Sequence, residues 1–141
     1  GRVAEMGIVS LWSADLVRAT ETAGLVGERI GLTARLDPRL READRGTWEG
    51  RLFVDIARED PEGYAAWMRA GEGFRFPGGE SLREQSDRVA AALADIHQAG
   101  ALPALVVCHR GSIRVMLCRR DPRGLDAFHQ FAVPNTGVVR L

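Results

Sequence analysis

Leu105-Val106-Val107-Cys108-His109-Arg110-Gly111-Ser112-Ile113-Arg114 is the stretch from which the rest of the chain is best read. Residues 104–108 form a short apolar run that reads as a buried strand. A helical pattern follows, carrying Ile113, Met116 and Leu117. His109, Arg110 and Gly111 lie between them. A strand that turns sharply into a helix leaves helix N-terminal N–H groups without partners, at the positive end of the helix dipole, where anions bind. A histidine at such a strand end, with backbone donors and arginines nearby, suits chemistry on a phosphate. Taken alone, the same residues also describe a plain strand-to-helix turn.

Working outward, Ser81-Leu82-Arg83-Glu84 has the form of a capping box. It opens a helix with Leu82, Gln85, Val89, Ala92, Leu93 and Ile96 on one face, ended by Gly100. Before it, residues 71–79 are a loop ending in Pro77-Gly78-Gly79. Two short helices precede that loop, one over residues 52–58 and one starting at Asp60-Pro61. Residues 37–50 have no period and read as a loop. Residues 8–12 read as a strand and Ser13 as the cap of a helix over residues 16–30, with Leu16, Ala19, Ala23, Val26 and Ile30 at helical spacing and Gly31 as its stop. Residues 32–36 give a second strand. Val3, Ala4 and Met6 read as the end of a helix stopped by Gly7, and residues 138–141 as a last strand. Strands and helices alternate, which predicts an α/β fold with a mostly parallel sheet covered on both faces. Sites in such sheets lie at the carboxyl ends of the strands, where Ser13 and His109 fall.

The 141 residues are enough for one domain with a real core. The formal charge is zero, which gives no reason to invoke nucleic acid or a membrane surface. All 19 basic side chains are Arg, so an anion site must use Arg, His or backbone N–H groups. The two cysteines, Cys108 and Cys118, suggest neither a disulfide scaffold nor a zinc site, and a reducing cytoplasm is the default location. Nothing calls for a metal or another cofactor. No apolar run is long enough to span a bilayer.

Four stretches now line up. They are Ser13-Ala14-Asp15-Leu16-Val17-Arg18-Ala19, Leu40-Arg41-Glu42 with Gly46-Thr47-Trp48-Glu49-Gly50, Pro77-Gly78-Gly79-Glu80-Ser81, and His109-Arg110-Gly111 with Ile113-Arg114. In this order they resemble the histidine phosphatase superfamily, the phosphoglycerate mutase-like fold, and most of all its small phosphatases such as the ribazole-phosphate phosphatases. The resemblance implies a three-layer α/β sandwich. It also implies a small-molecule phosphate ester as the partner and transfer through a phosphohistidine. By position, Arg18 matches the family's helix-borne phosphate arginine, Glu42 its proton donor and His109 its second pocket histidine. The N–H of Arg110 or Gly111 would face the phosphate. Arg18, Glu42 and His109 are thus expected to serve one pocket. The roles are physically coherent, since phosphoryl transfer needs positioning and neutralisation of spread negative charge. Arg supplies permanently charged, bidentate donors. Trp48, Trp67, Phe74 and Phe76 read as packing residues, and His97 and His129 are given no role.

The family opens with a strand ending in Arg-His-Gly, which carries the nucleophile. No such motif occurs here, and Arg110 stands where a small residue is usual. The expectation is therefore a single histidine-phosphatase-like domain over residues 1–141, truncated at both ends and without its nucleophile. A non-catalytic phosphate-ester-binding relative is the competing account. A third reading takes Cys108 to Arg114 as the C-x5-R phosphate loop of a cysteine-based phosphatase, in which a thiolate attacks phosphorus. Val115 stands where such loops carry Ser or Thr.

Overall fold

Glycines in left-handed backbone set the ends of the first elements. In the computed structural model, which describes residues 2–141, Gly7 at φ 63° closes a 3-10 turn over Ala4–Met6. Strand β1 (Ser10–Ser13) follows, then helix α1 (Val17–Ile30), stopped by Gly31 at φ 71°. The Gly31 and Leu32 N–H groups both donate to the Gly27 carbonyl, which satisfies the helix end. The chain then enters strand β2 (Arg35–Leu36). Later elements are helices α2 (Phe53–Glu59), α3 (Pro61–Met68) and α4 (Leu82–Gln98), strand β3 (Ala104–Val107) and helix α5 (Arg110–Cys118). A 3-10 segment, Gly124–Gln130, comes last.

The chain divides into two compact units. Unit 1 comprises Gly1–Arg41 and Arg88–His109; unit 2 comprises Glu42–Asp87 and Arg110–Leu141. Unit 1 holds the sheet, with strand order β2-β1-β3 and both pairings parallel. Parallel neighbours need a crossover connection, which α1 supplies between β1 and β2. Trp12 is paired with Arg35 on one side and Val106 on the other. Helix α1 lies on β1 and β3 and buries Ala19, Ala23 and Gly27. A Cβ on Gly27 would stand 2.3 Å from the Leu32 carbonyl oxygen and 3.2 Å from Leu11 Cδ2. The small side of the helix is what permits this close approach.

Unit 2 is organised by rings. Trp67 sits among Phe53, Phe74, Phe76, Phe128 and His129, with centroids 4.6 to 5.8 Å away. Asp60 caps α3 by accepting from the Gly63 N–H at 2.9 Å. The capping box forms in full: Glu84 N–H donates to Ser81 Oγ and Ser81 N–H to Glu84 Oε2, each at 3.0 Å. The loop at Gly46 lies against Pro77 and Gly79, with Thr47 N–H donating to Pro77 O and Glu80 N–H to Asp44 O at 2.9 Å.

Four sequence expectations are corrected. Ser13 ends β1 instead of capping α1; its hydroxyl donates to the Ala14 carbonyl, and the N-cap is Leu16. Strand β3 is half-exposed along its length instead of buried. Helix α5 buries Ser112, Val115 and Met116, while Ile113 and Leu117 are half-exposed, because the face begins at Gly111. Residues 138–141 join no strand; a strand needs a ladder partner, and the ladders given by β1, β2 and β3 do not include them.

Candidate active site

In unit 2 the half-buried Glu42 carboxylate is held at the first turn of α5. Gly111 N–H donates to its Oε2 at 3.1 Å. Its Oε1 accepts from Gln85 Nε2 at 3.0 Å and from the Ala43 N–H at 3.2 Å. The positive end of a helix favours an anion by about 0.3–1 kcal/mol. Gly111 leaves the carboxylate where it is: a Cβ on it would stand 2.1 Å from Glu42 Oε1, so a side chain there would displace the Glu42 tip. The resemblance assigns the N–H of Arg110 or of Gly111 to a phosphate, and that of Gly111 is engaged by Glu42. What the arrangement can do chemically is hold a carboxyl group at a fixed place, as a proton donor or acceptor requires.

Unit 1 carries His109 and Arg18. The hydrogen bond from Ala14 N–H to Val107 O, 2.9 Å, continues the β1–β3 ladder, so both strands release their chains at the same edge of the sheet. Buried His109 leaves β3 at that edge. Arg18 lies in the first turn of α1 and its side chain is exposed. Beyond β1, Asp15 receives both hydrogen bonds of a bidentate pair from Arg41, each at 2.6 Å. The Arg41 guanidinium holds the Asp15 carboxyl below its usual range, and the Arg41 pKa is raised in return. Arg88 on α4 donates to the carbonyls of Arg39 and Arg41 at 2.7 and 2.8 Å. The backbone leading to Glu42 is therefore fixed at Arg41 by a side chain on one hand and a carbonyl on the other. Sequence reading gave Asp15, Arg41 and Arg88 no role, since pairs this far apart carry no periodic signal.

The remaining candidates lie in unit 2. Exposed Arg110 donates to Asn135 Oδ1 at 3.1 Å. Arg114 donates from Nε to the Phe131 carbonyl at 2.9 Å and lies over the Phe128 ring at 5.5 Å. Burial, then neighbouring Arg110, lower its pKa. This geometry does not suit the cysteine-phosphatase reading. There, residues between Cys and Arg curl so that their N–H groups point at the anion; here they are already helical from Arg110 onward. Phe76 and Trp48 are buried and Trp67 is central to the ring cluster, so they serve packing. His129, unassigned from sequence, places Nε2 at 2.6 Å from the Trp67 carbonyl. Among the described residues no group of three or more His, Cys, Asp or Glu is arranged to hold a metal ion. No helix among them is long and apolar enough to cross a membrane.

Comparison with known proteins gives consistent results. Residues 1–141 match the model of the histidine phosphatase superfamily (branch 1). A protein named "Probable phosphoglycerate mutase GpmB" from Enterobacter sp. (strain 638) is 41% identical over 108 residues, 74% of this chain and 50% of its own length. The chain thus spans about half the length of the curated relatives it matches. Among solved structures, mycobacterial glucosyl-3-phosphoglycerate phosphatase superposes with a TM-score of 0.80 at 26% identity, covering 93% of this chain and 67% of that one. The alpha-ribazole phosphatase from Shigella flexneri gives 0.74 at 28% identity, covering 89% and 63%. With its parallel α/β sheet and a model match over its whole length, the chain belongs to the histidine phosphatase superfamily.

Proposed function

We propose that these residues serve a phosphatase that transfers the phosphoryl group of a small phosphate ester through a phosphohistidine. Arg18, His109 and Arg110 hold the phosphoryl oxygens. Glu42 protonates the departing oxygen. Gly111 admits the Glu42 carboxyl group to the start of α5 and shares its N–H with it. No Arg-His-Gly occurs in the sequence, so on this reading the nucleophilic histidine is supplied by residues other than these 141. The observation that carries the reading is the Glu42 carboxylate, bonded by Gly111 N–H and Gln85 Nε2 in a place that a side chain at position 111 would push it from. Family membership supports it, as do solved relatives named glucosyl-3-phosphoglycerate phosphatase and alpha-ribazole phosphatase. The mycobacterial relative is also described in complex with inorganic phosphate.

The test is Glu42→Gln in the full-length protein that carries these residues with the nucleophilic histidine. A general acid contributes roughly 10²–10⁴-fold and matters most when the departing oxygen is basic. An alkyl phosphate should lose about that much in turnover and an aryl phosphate much less. Equal losses on the two substrates would show that Glu42 is not the proton donor. The missing Arg-His-Gly supports a second reading, a phosphate-ester-binding protein without turnover. Binding of the ester with no hydrolysis by the full-length wild type would decide for it.

A further inference from the structure

Gln85 is an amide in an otherwise apolar position. It stands on the face of α4 shared by Leu82 and Val89, and all three are essentially inaccessible to solvent. Burying an amide costs free energy unless its hydrogen bonds are met. Its Nε2 meets Glu42 Oε1 at 3.0 Å and has Ser112 Oγ at 3.5 Å, whereas its Oε1 is buried with no hydrogen-bond partner. An orphaned acceptor is tolerated where something else dictates which way the amide faces, and here that is the carboxylate. Turning the amide over would set two acceptor oxygens against each other while Glu42 is ionised.

We propose that Gln85 is a positioning residue that holds the Glu42 carboxyl group in both of its protonation states. This rests on the reading of Glu42 as proton donor, a role in which the group alternates between the acid and the carboxylate. The ionised form needs a donor and receives Gln85 Nε2–H. The protonated form has a hydrogen to give, and Gln85 Oε1 accepts it after a half-turn of the amide about its last torsion. That half-turn exchanges one partnerless amide atom for the other, so it leaves the number of unmet groups unchanged. Gly111 N–H fixes Oε2 in either state. A Leu or Met can do neither task, and a Glu at 85 sets two carboxyl groups side by side, which titrate as a pair.

The experiment combines kinetics of the full-length protein with the amide signal of Gly111. Gln85→Met fills the same space without polar atoms. It should slow hydrolysis of an alkyl phosphate about tenfold and an aryl phosphate little, a fraction of what a general acid supplies. In a Glu42→Gln background the same change should cost almost nothing further, because residues acting as one unit are not additive. Gln85→Glu should move the acid or alkaline limb of the pH–rate profile, which a purely structural residue would not do. The Gly111 amide proton, shifted by its bond to Glu42, should move in Gln85→Met whether or not turnover is affected. A Gly111 signal unchanged in Gln85→Met, or equal losses in the wild-type and Glu42→Gln backgrounds, would overturn the proposal. If Glu42→Gln itself fails to discriminate between substrates while the Gly111 signal moves, the proton-donor role falls and the positioning contact stands.

Discussion

Unit 1 brings its elements close with small residues, whereas unit 2 fills its interior with rings. In unit 1 the face of α1 toward the sheet is Ala19, Ala23 and Gly27, and strands of two to four residues suffice because the helix lies on them closely. Its polar ties, such as Asp15 with Arg41, lie where loops leave the sheet. In unit 2, α2 and α3 have few buried residues of their own, and the interior is Trp48, Phe76 and Phe128, with half-buried Trp67 set among the rings. Close packing by small residues is intolerant of added atoms; packing by rings is intolerant of lost ones. Each unit therefore has its own kind of fatal substitution.

The largest effect is expected from Trp67→Ala, which removes the ring that touches five others. Truncating a buried Trp typically costs about 3–5 kcal/mol, and half-buried Trp67 should fall toward the lower end of that range. Amide hydrogen exchange should accelerate most in residues 42–87 and 110–141, and least in β1 and β3. Equal acceleration throughout would mean that the two units unfold as one and that the contrast drawn above has no energetic content.

Next comes a paired test within α1. Gly27→Ala puts a Cβ 2.3 Å from a backbone oxygen, which cannot move away as a side-chain tip could. Overpacking of this kind costs about 1–3 kcal/mol. Gly24→Ala, on the exposed side of the same helix, meets nothing within 4 Å. It should stabilise by up to about 1 kcal/mol, because Ala is the better helix former. Thermal midpoints of the two variants should move in opposite directions. A shift of the same sign would show that helix propensity, not the approach of α1 to its surroundings, governs this unit.

The sequence made the helices of both units legible where local chemistry decides them. Gly31 after a periodic run, Asp60 before Pro61, and Ser81 with Glu84 each name a helix end through a single hydrogen-bonding rule, and each formed. The strands were less legible. Residues 32–36 yield a strand of only Arg35–Leu36, and residues 138–141 yield none, because pairing depends on a neighbour that local pattern does not reveal. For the candidate site, residue types and order pointed to Glu42, His109 and Gly111, but the contact of Gly111 with Glu42 could not be read from them. Glu42 and Gly111 are 69 positions apart, and nothing local says that a side chain on one would displace the tip of the other. Gln85 was visible only as one more position on a helical face. His129 had no pattern at all, since its partner is a backbone carbonyl, which every residue possesses.

The smallest expected effect concerns that histidine and separates the units by pH. His129 Nε2–H donates to the Trp67 carbonyl, and the ring stands edge-on to Trp67 and beside Phe128. Burial lowers its pKa from the usual 6.5; the bond to Trp67 works the other way, and the Arg114 charge adds to the lowering. Folded protein therefore holds this proton less tightly than unfolded protein does. As pH falls below 6.5 the unfolded state gains the proton first, so the stabilisation from neutral His129 is present above 6.5 and is lost toward the lowered folded value. Asp121, lowered to about 2 by hydrogen bonds from Arg123, titrates well below this window. Unfolding midpoints should thus decline between about pH 7.5 and about pH 5.5, and His129→Gln, which keeps an N–H donor but does not titrate, should decline less. The difference should appear in the exchange of residues 61–76 and 124–131, which surround the ring, and not in β1. If wild type and His129→Gln decline alike, the acid sensitivity belongs to other groups and the ring cluster is indifferent to the charge of its histidine.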